Sequence, residues 1–240
     1  MKADALTGAL AEARTHNDMA LVLAPQLAAV MLTQAHILQS CGDNAAAEAC
    51  FHKTLALDPN AGDAHNNLAI FYMMEKGDIE KAYYHSKCSY ALDEEETCGI
   101  LLLTWLTKLG NTQETISAAA LVLSRSKRRI AIGPYDFDAI HLIAYASFLL
   151  GDIEEAKHWT FIASAYQSDD ETFIYNIACL HSRLGSADAS LLMLERALAA
   201  GGPATNIDYI RSVDPDLAQV RKDPRFDPLI ARYAAQIEGA

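Results

Sequence analysis

The hexapeptide GDIEKA, residues 77–82, returns almost unchanged as GDIEEA at residues 151–156. The same pattern, a glycine before a small polar residue with another small residue five positions after the glycine, also occurs at Gly42, Gly110 and Gly185. Successive glycines of this pattern lie 35, 33, 41 and 34 residues apart. Three of the four intervals are close to 34 residues, so the sequence predicts a structural unit that is repeated along the chain.

Each repeated unit is expected to be a pair of helices joined by a tight turn. A helical pattern precedes every glycine, and glycine ends a helix well because it adopts the left-handed C-cap conformation without strain. The Asp, Asn or Ser that follows caps the next helix through its side-chain oxygen. Small residues stand where the two helices would cross in four of the units: Ala35, Ala69, Ala144 and Ala178. Hairpin turns are therefore expected at Gly42, Gly77, Gly110, Gly151 and Gly185.

The stretch LALDPNAGDAHNNLAIFYMMEKGDIEKAYYHSKC, residues 55–88, resembles the tetratricopeptide repeat. Its matching positions are Leu68, Ala69 and Tyr72 in the first helix, Gly77 and Ala82 at the turn, and Asp58-Pro59 in the link between repeats. The unit departs from the family pattern by one extra residue before Gly77. The third unit departs further, because Leu103 and Thr115 stand where the family has small residues.

The resemblance covers residues 28–199 and implies an all-α fold, a right-handed superhelical solenoid of about five helix-turn-helix repeats. The repeats are expected near residues 28–61, 62–95, 96–130, 137–170 and 171–199. Residues 1–27 are expected to form N-terminal capping helices and residues 200–240 a C-terminal capping segment, since the ends of such a stack must be covered.

The C-terminal segment contains its own helix-start signals. Asp214-Pro215 and Asp223-Pro224 each join a capping residue to a first-turn proline, so short helices should follow them. An apolar stripe then consists of Phe226, Leu229, Ile230 and Tyr233. The string DPDLAQVRKDPRF, residues 214–226, resembles the closing motif of many bacterial tetratricopeptide repeat proteins.

Composition excludes several classes of protein. The net charge of −12 argues against a nucleic-acid partner. No apolar run approaches the roughly 18 residues of a membrane span, and the N-terminus lacks the apolar stretch of a signal peptide. Five cysteines in a chain of 240 residues favour a reducing cytoplasm. The one basic cluster, Arg125, Lys127, Arg128 and Arg129, either complements the dipole of a helix end or contacts an anionic partner.

Motifs of known enzymes are absent from the sequence, so we expect no catalytic activity and no cofactor. His85 and Cys88 stand on one face of a predicted helix, with Cys98 downstream. A structural zinc site needs four ligands, and no fourth ligand has a suitable spacing.

In the tetratricopeptide repeat family, the first helix of each repeat lines the concave face of the superhelix, and that face binds partners. The resemblance places the following residues there: His36, Gln39, Asn66, Ile70, Met73, Met74, Thr104, Lys108, His141, Tyr145, Phe148, Tyr175 and Arg183. The alternative is that these side chains pack between helices or under the C-terminal segment. Within the fourth repeat, we expect Phe148 to lie closer to the core and Tyr145 closer to a partner.

One subtype of the family binds the C-terminal carboxylate of a heat-shock chaperone through five basic or amide side chains. Here Asn67 matches one of the five positions, whereas Leu32, His36, Thr97 and Leu101 replace the others.

Taken together, the sequence predicts a non-enzymatic cytoplasmic adaptor that binds an extended or helical apolar segment of another protein. Alternatives are a dedicated chaperone for a secretion or pilus-assembly client and, more remotely, a hydrolase or metal-dependent enzyme.

Overall fold

The computed structural model describes residues 2–92, 96–201 and 205–238, and within these ranges every regular element is a helix. The chain divides into two compact units, one up to Thr115 and the other from Ile116 onwards. The expected all-α helical repeat is confirmed, and the two units are described separately below.

Unit 1 consists of antiparallel helical hairpins. Its helices are α1 (Lys2–Leu23), α2 (Ala28–Ser40), α3 (Asn44–Leu57), α4 (Gly62–Phe71), α5 (Ile79–Leu92), α6 (Glu96–Leu109) and the first turn of α7 (Thr112–Ile132). The residues after the glycines cap the second helices as expected: the Asp43 carboxylate accepts from the Ala46 N–H at 3.1 Å, and the Asp78 carboxylate accepts from the Lys81 N–H at 3.1 Å.

The extra residue before Gly77 is absorbed by a change in helical geometry. Helix α4 continues directly into a π-helical turn, Tyr72–Lys76, which ends at Gly77. A π-helical turn closes its hydrogen bonds over one more residue than an α-helical turn, so it takes up a single inserted residue without breaking the helix. The hairpin to α5 therefore keeps a turn glycine at positive φ and a capping aspartate, as in the first repeat.

The core of unit 1 is one cluster built from five successive helices, α2 to α6, and the π-helical turn. Its buried members are Ala35, Ala47, Phe51, Ala64, Leu68, Phe71, Tyr72, Ala82 and Trp105. Ala35, Ala47 and Ala82 stand at small positions of the repeat pattern and allow the backbones to approach, while the aromatic side chains fill the remaining space of the cluster. Trp105 joins α6 to α4 through this cluster.

Unit 2 contains the remainder of α7, followed by α8 (Phe137–Leu149), α9 (Ile153–Ser164), α10 (Glu171–Arg183), α11 (Ala187–Ala200) and α12 (Phe226–Glu238). Short turns of helix, Tyr209–Val213, Pro215–Leu217 and Val220–Lys222, lie between α11 and α12. Asp214 caps the second of these turns by accepting from the Asp216 N–H at 2.9 Å. The first Asp-Pro pair opens a short helical turn as expected, whereas the helix after Asp223-Pro224 begins at Phe226 and has 13 residues; its stripe is buried at Phe226, Leu229 and Ile230.

All five predicted turn glycines lie between two helices and adopt positive φ. The angles are 78° at Gly42, 63° at Gly77, 70° at Gly110, 81° at Gly151 and 76° at Gly185. The periodic pattern therefore identifies the hairpin turns correctly, including the turn of the degenerate third unit.

The long interval before Gly151 corresponds to a long helix. Helix α7 has 21 residues, whereas α3, α5 and α11 have 14 each. The basic cluster lies in the C-terminal half of α7. Arg129 donates two hydrogen bonds to the Asp136 carboxylate, at 2.8 and 2.9 Å, and the Lys127 ammonium lies 2.6 Å from the Glu155 carboxylate. These two cations therefore fasten α7 to the next hairpin.

Candidate partner-binding face

The residues expected on the inner face lie in unit 1 on the first helices of three successive hairpins. We call the set His36, Gln39, Asn66, Ile70, Met73, Thr104 and Lys108 the unit 1 stripe. Gln39 and Lys108 are exposed, and the other five side chains are half-buried. The side chain of Met74 lies outside the described part of the structure. Every described member of the stripe thus keeps a surface that another molecule can contact.

Hydrogen bonds join the helices that carry the unit 1 stripe. The Asn67 side-chain amide donates to the Asp63 carbonyl at 2.8 Å and lies 3.2 Å from His36 Nε2, which connects α4 to α2. The Cys98 thiol donates to the Asn66 side-chain oxygen at 3.7 Å, which connects α6 to α4. These contacts fix the orientation of the polar side chains before any partner arrives.

The apolar part of the stripe rests on the core. Met73 and Leu101 both pack against the core cluster of unit 1, and each is only partly covered. A buried base and an accessible edge are the properties of an anchor position, because the side chain is held in place while part of its apolar surface remains in water.

Lys108 and Trp105 form a distinct feature at one end of the stripe. The Lys108 ammonium lies 5.0 Å from the centroid of the Trp105 ring, a cation–π geometry. Trp105 is 5% exposed, and its indole Nε1 has no hydrogen-bond partner within the described part of the chain. Lys108 is also the only Lys, Arg, Asp or Glu in the unit 1 stripe.

In unit 2, three of the five corresponding positions are covered, whereas Phe148 and Arg183 are half-buried. His141, Tyr145 and Tyr175 are buried. The Tyr175 hydroxyl donates to the Asp214 carboxylate, and Arg183 Nε donates to the Asp216 carboxylate at 2.9 Å. The segment between α11 and α12 therefore occupies the face that the sequence assigned to a partner.

Arg183 also shields two aromatic side chains of the fourth repeat. Its guanidinium lies 5.6 Å from the Tyr145 ring centroid and 5.4 Å from the Phe148 ring centroid. Tyr145 is 7% exposed and Phe148 is half-buried. The burial of these two residues is the reverse of the sequence expectation, because Tyr145 lies within the buried run of α8, residues 139–147, which ends immediately before Phe148.

Electrostatics favour this arrangement. Burial, together with the nearby Cys179 and Asp214, raises the pKa of Tyr175, so its hydroxyl keeps the proton that it donates. Burial also raises the pKa of the Cys179 thiol, whose sulfur lies 3.9 Å from the same Asp214 oxygen. Two neutral donors thus face the buried Asp214 carboxylate.

The sequence did not suggest a cluster of three histidines in unit 1. His65 Nδ1 lies 2.9 Å from His85 Nδ1, and both side chains are 6% exposed. His52 Nε2 lies 2.9 Å from the Tyr72 hydroxyl, and the Tyr72 ring stacks on His85. The one sequence signal that could have found this pair is helical periodicity, which places His65 and His85 among the buried positions of α4 and α5.

The geometry does not support a zinc site at His85 and Cys88. His85 faces His65, and Cys98 lies 2.9 Å from the Ser89 hydroxyl. Throughout residues 2–92, 96–201 and 205–238, no group of three or more His, Cys, Asp or Glu side chains is arranged to hold a metal ion. A bilayer-spanning helix, long and apolar enough to cross a membrane, is likewise not found among those residues.

Comparison with known sequences identifies the first repeat. Residues 28–61 match the family described as Tetratricopeptide repeat. A stretch of 59 residues is 44% identical to part of a chloroplastic protein of Arabidopsis thaliana. That stretch covers 25% of this chain and 17% of the Arabidopsis protein.

Two solved structures share the fold. TTC0263, described as a thermophilic TPR protein in Thermus thermophilus, has a TM-score of 0.52 and 20% identity, covering 88% of this chain and 99% of the other. PilW, described as a widely conserved type IV pilus biogenesis factor, has a TM-score of 0.53 and 17% identity, covering 90% of this chain and 93% of the other. Identities this low establish similarity of fold alone.

Proposed function

We propose that this chain, which is a tetratricopeptide repeat protein, is a protein-interaction adaptor that binds an apolar segment of a partner protein along the unit 1 stripe. The binding needs no cofactor and no catalytic group. The segment is extended or helical, and it lies across the first helices of the first three repeats.

The observation that carries this proposal is the difference between two equivalent sets of positions. In unit 2, His141, Tyr145 and Tyr175 are buried, and the chain's own segment between α11 and α12 bonds to Tyr175 and Arg183 through Asp214 and Asp216. In unit 1, no described residue covers the stripe in this way, and its side chains stay half-buried or exposed. An apolar strip flanked by fixed polar groups and left accessible to solvent is typical of a protein-binding surface.

The chemistry of the stripe suits a peptide. Ile70 and Met73 provide apolar contact, and the flexible Met side chain adapts to irregular partners. Asn66, Gln39 and Thr104 provide amide and hydroxyl groups for the backbone of a bound segment.

A chaperone for a secretion or pilus-assembly client is a narrower form of the same activity. The likeness to PilW is a likeness of fold, so it gives this alternative no functional support. Both forms place the client on the unit 1 stripe, and the identity of the captured protein separates them.

The test is affinity capture with the full chain, followed by quantitative mass spectrometry. The test variant is Ile70→Ala with Met73→Ala, and the matched control is Tyr84→Ala, which removes a 59% exposed aromatic side chain from α5. Interface anchors commonly contribute more than about 2 kcal/mol, so the double variant should weaken capture of a true partner by about 30-fold.

Circular dichroism first establishes that both variants are folded. We expect the partner to be lost from the double variant and retained by the Tyr84 variant. Equal recovery of all captured proteins by both variants would refute the proposal.

A further inference from the structure

The second repeat is longer by one residue than the first, fourth and fifth repeats between two equivalent points. These points are the buried alanine where the two helices cross and the glycine of the hairpin turn. The glycine follows the alanine by seven residues in the other three repeats and by eight residues, from Ala69 to Gly77, in the second. Both ends keep their roles, since Ala69 is buried and Gly77 has a φ of 63°. The extra residue therefore lies within the helix, where the π-helical turn Tyr72–Lys76 takes it up.

The hairpin itself does not require this extra residue. The first repeat closes the equivalent hairpin with a regular α-helix, α2, and Asp43 caps its second helix as Asp78 does in the second repeat. π-Helical turns are rare in proteins and are found frequently at functional sites. The place of the insertion in the repeat therefore indicates its purpose.

The insertion falls on the unit 1 stripe. Counted forward from Ala69, the residue equivalent to Gln39 is Met73, whereas counted back from Gly77 it is Met74. The second repeat thus has two consecutive methionines at a level where the first repeat has one stripe residue. Two of the six methionines of the chain stand here, and the flexible Met side chain adapts to irregular partners.

The described part of the turn is anchored on one side and accessible on the other. Tyr72 is 6% exposed, its hydroxyl lies 2.9 Å from His52 Nε2 on α3, and its ring stacks on His85 of α5. Met73 follows directly, packs against the core cluster and is only partly covered. The side chain of Met74 lies outside the described part of the structure, and its assignment rests on its place in the sequence.

We propose that the one-residue insertion before Gly77 is a recognition element that adds Met74 to Met73, so that the second repeat contacts one large apolar side chain of the bound segment through two thioethers. This inference rests on the proposed function, because it concerns the same stripe. It requires that stability and binding respond to the insertion in opposite directions. Removal of the extra residue restores the far commoner α-helical geometry and deletes a contact with the partner.

The first measurement is urea unfolding of a variant that lacks Met74. This deletion gives the second repeat the seven-residue spacing of the first repeat. The matched control lacks Gln39, the equivalent residue of the first repeat, where the spacing is already regular. We expect the Met74 deletion to unfold at the same urea concentration as the wild type or a higher one, and the Gln39 deletion to unfold at a lower one. A midpoint below that of the wild type for the Met74 deletion would show that the extra residue serves the fold, and it would overturn the inference.

The second measurement is peptide binding by the full chain. The probes come from a library of random twelve-residue peptides selected on the wild type, and those that no longer bind the variant with Ile70→Ala and Met73→Ala are kept as stripe binders. We expect stripe binders to bind both the Met74 deletion and Met74→Ala about tenfold more weakly than the wild type. Met74→Ala keeps the length of the chain, so it separates the side chain from the length of the turn. Met19→Ala, at a 51% exposed position on α1, is the control and should bind as the wild type does.

A double-mutant cycle identifies the contact on the peptide. Each large apolar residue of a stripe binder is replaced by Ala in turn, and every peptide is measured on the wild type and on Met74→Ala. For one of these residues, the two proteins should bind the truncated peptide equally, because the contact has already been removed from the peptide side. Additive losses at every position would overturn the inference.

The outcomes separate this inference from the proposed function. Stripe binders that bind the Met74 deletion or Met74→Ala as tightly as the wild type would overturn the role of the insertion and leave the adaptor function intact. A selection without any stripe binder would overturn the adaptor function and this inference together.

Discussion

The buried pair of His65 and His85 predicts that unit 1 loses stability in mild acid. Their Nδ1 atoms are 2.9 Å apart, so one ring donates a proton and the other must accept with a free lone pair. Protonation of the accepting ring removes that lone pair, so two N–H donors face each other and a positive charge is buried between them. The folded state therefore resists protonation, whereas the unfolded state does not.

The magnitude follows from His85. Burial, with smaller contributions from the charges of His65, His52 and Lys81, lowers the pKa of His85 from 6.5 to about 4. Because the folded pKa is below the unfolded one, the stabilisation is complete above about pH 6.5 and is lost as the pH falls towards 4. Linkage gives a loss of about 2 kcal/mol between pH 7 and pH 5 for this one side chain. Burial also lowers the pKa of His65, so its contribution has the same sign.

The assay is urea unfolding at pH 7 and pH 5, followed by Trp105 fluorescence in the Trp159→Phe background. His85→Phe keeps a ring of similar shape and removes the titrating group, so its stability should fall by about 2 kcal/mol less over this range than that of the parent. His16→Gln is the control, because His16 is exposed and lies 3.7 Å from Glu12 one turn away on the same helix.

A direct reading comes from the imidazole resonances in NMR, where His85 should remain neutral down to about pH 4. A His85 titration near pH 6.5, or the same acid sensitivity in His85→Phe as in the parent, would refute the reasoning.

Two further predictions concern single positions. Gly77→Ala should destabilise unit 1 by about 1–2 kcal/mol in urea unfolding, because Gly77 has a φ of 63° and an added side chain is strained there. The control is Gly133→Ala, since φ at Gly133 is not positive and an added Cβ meets nothing within 4 Å; its free energy of unfolding should change by less than about 0.5 kcal/mol. Equal effects of the two substitutions would contradict the turn geometry. Tyr175→Phe should destabilise unit 2 by about 1.5–3 kcal/mol, because Asp214 loses a hydrogen-bond donor in a buried site. Unfolding followed by Trp159 fluorescence measures this change, and Tyr135→Phe, at an 80% exposed position, is the control. An unchanged unfolding midpoint in Tyr175→Phe would show that the hydrogen bond contributes nothing.

The sequence predicts the hairpins well because their determinants are local. Each turn glycine and the capping residue after it act within a few positions of one another, so Gly110 is correctly placed although the third repeat is degenerate elsewhere. The pattern also reveals the extra residue before Gly77. It does not reveal the π-helical turn that absorbs this residue, because that choice depends on how Phe71 and Tyr72 pack against α3, α5 and α6.

The candidate site is less predictable from sequence. Periodicity places Tyr145, Tyr175 and Lys108 at equivalent inner positions, yet the first two are buried and the third is exposed. For Tyr175, the difference arises from its contact with Asp214, which is 39 residues away. Local patterns contain no information about such a distant pairing.

The separation of Tyr175 and Asp214 in sequence also affects when unit 2 can complete its folding during synthesis. Translation proceeds at about 5–20 residues per second, so the 39 residues between them take roughly 2–8 seconds to be added. During that time, the inner face of α10 has left or is leaving the ribosome without the segment that will cover it. The core cluster of unit 1 needs no residue beyond Trp105, so the direction of translation lets unit 1 fold first while unit 2 waits with apolar surface exposed to cellular chaperones.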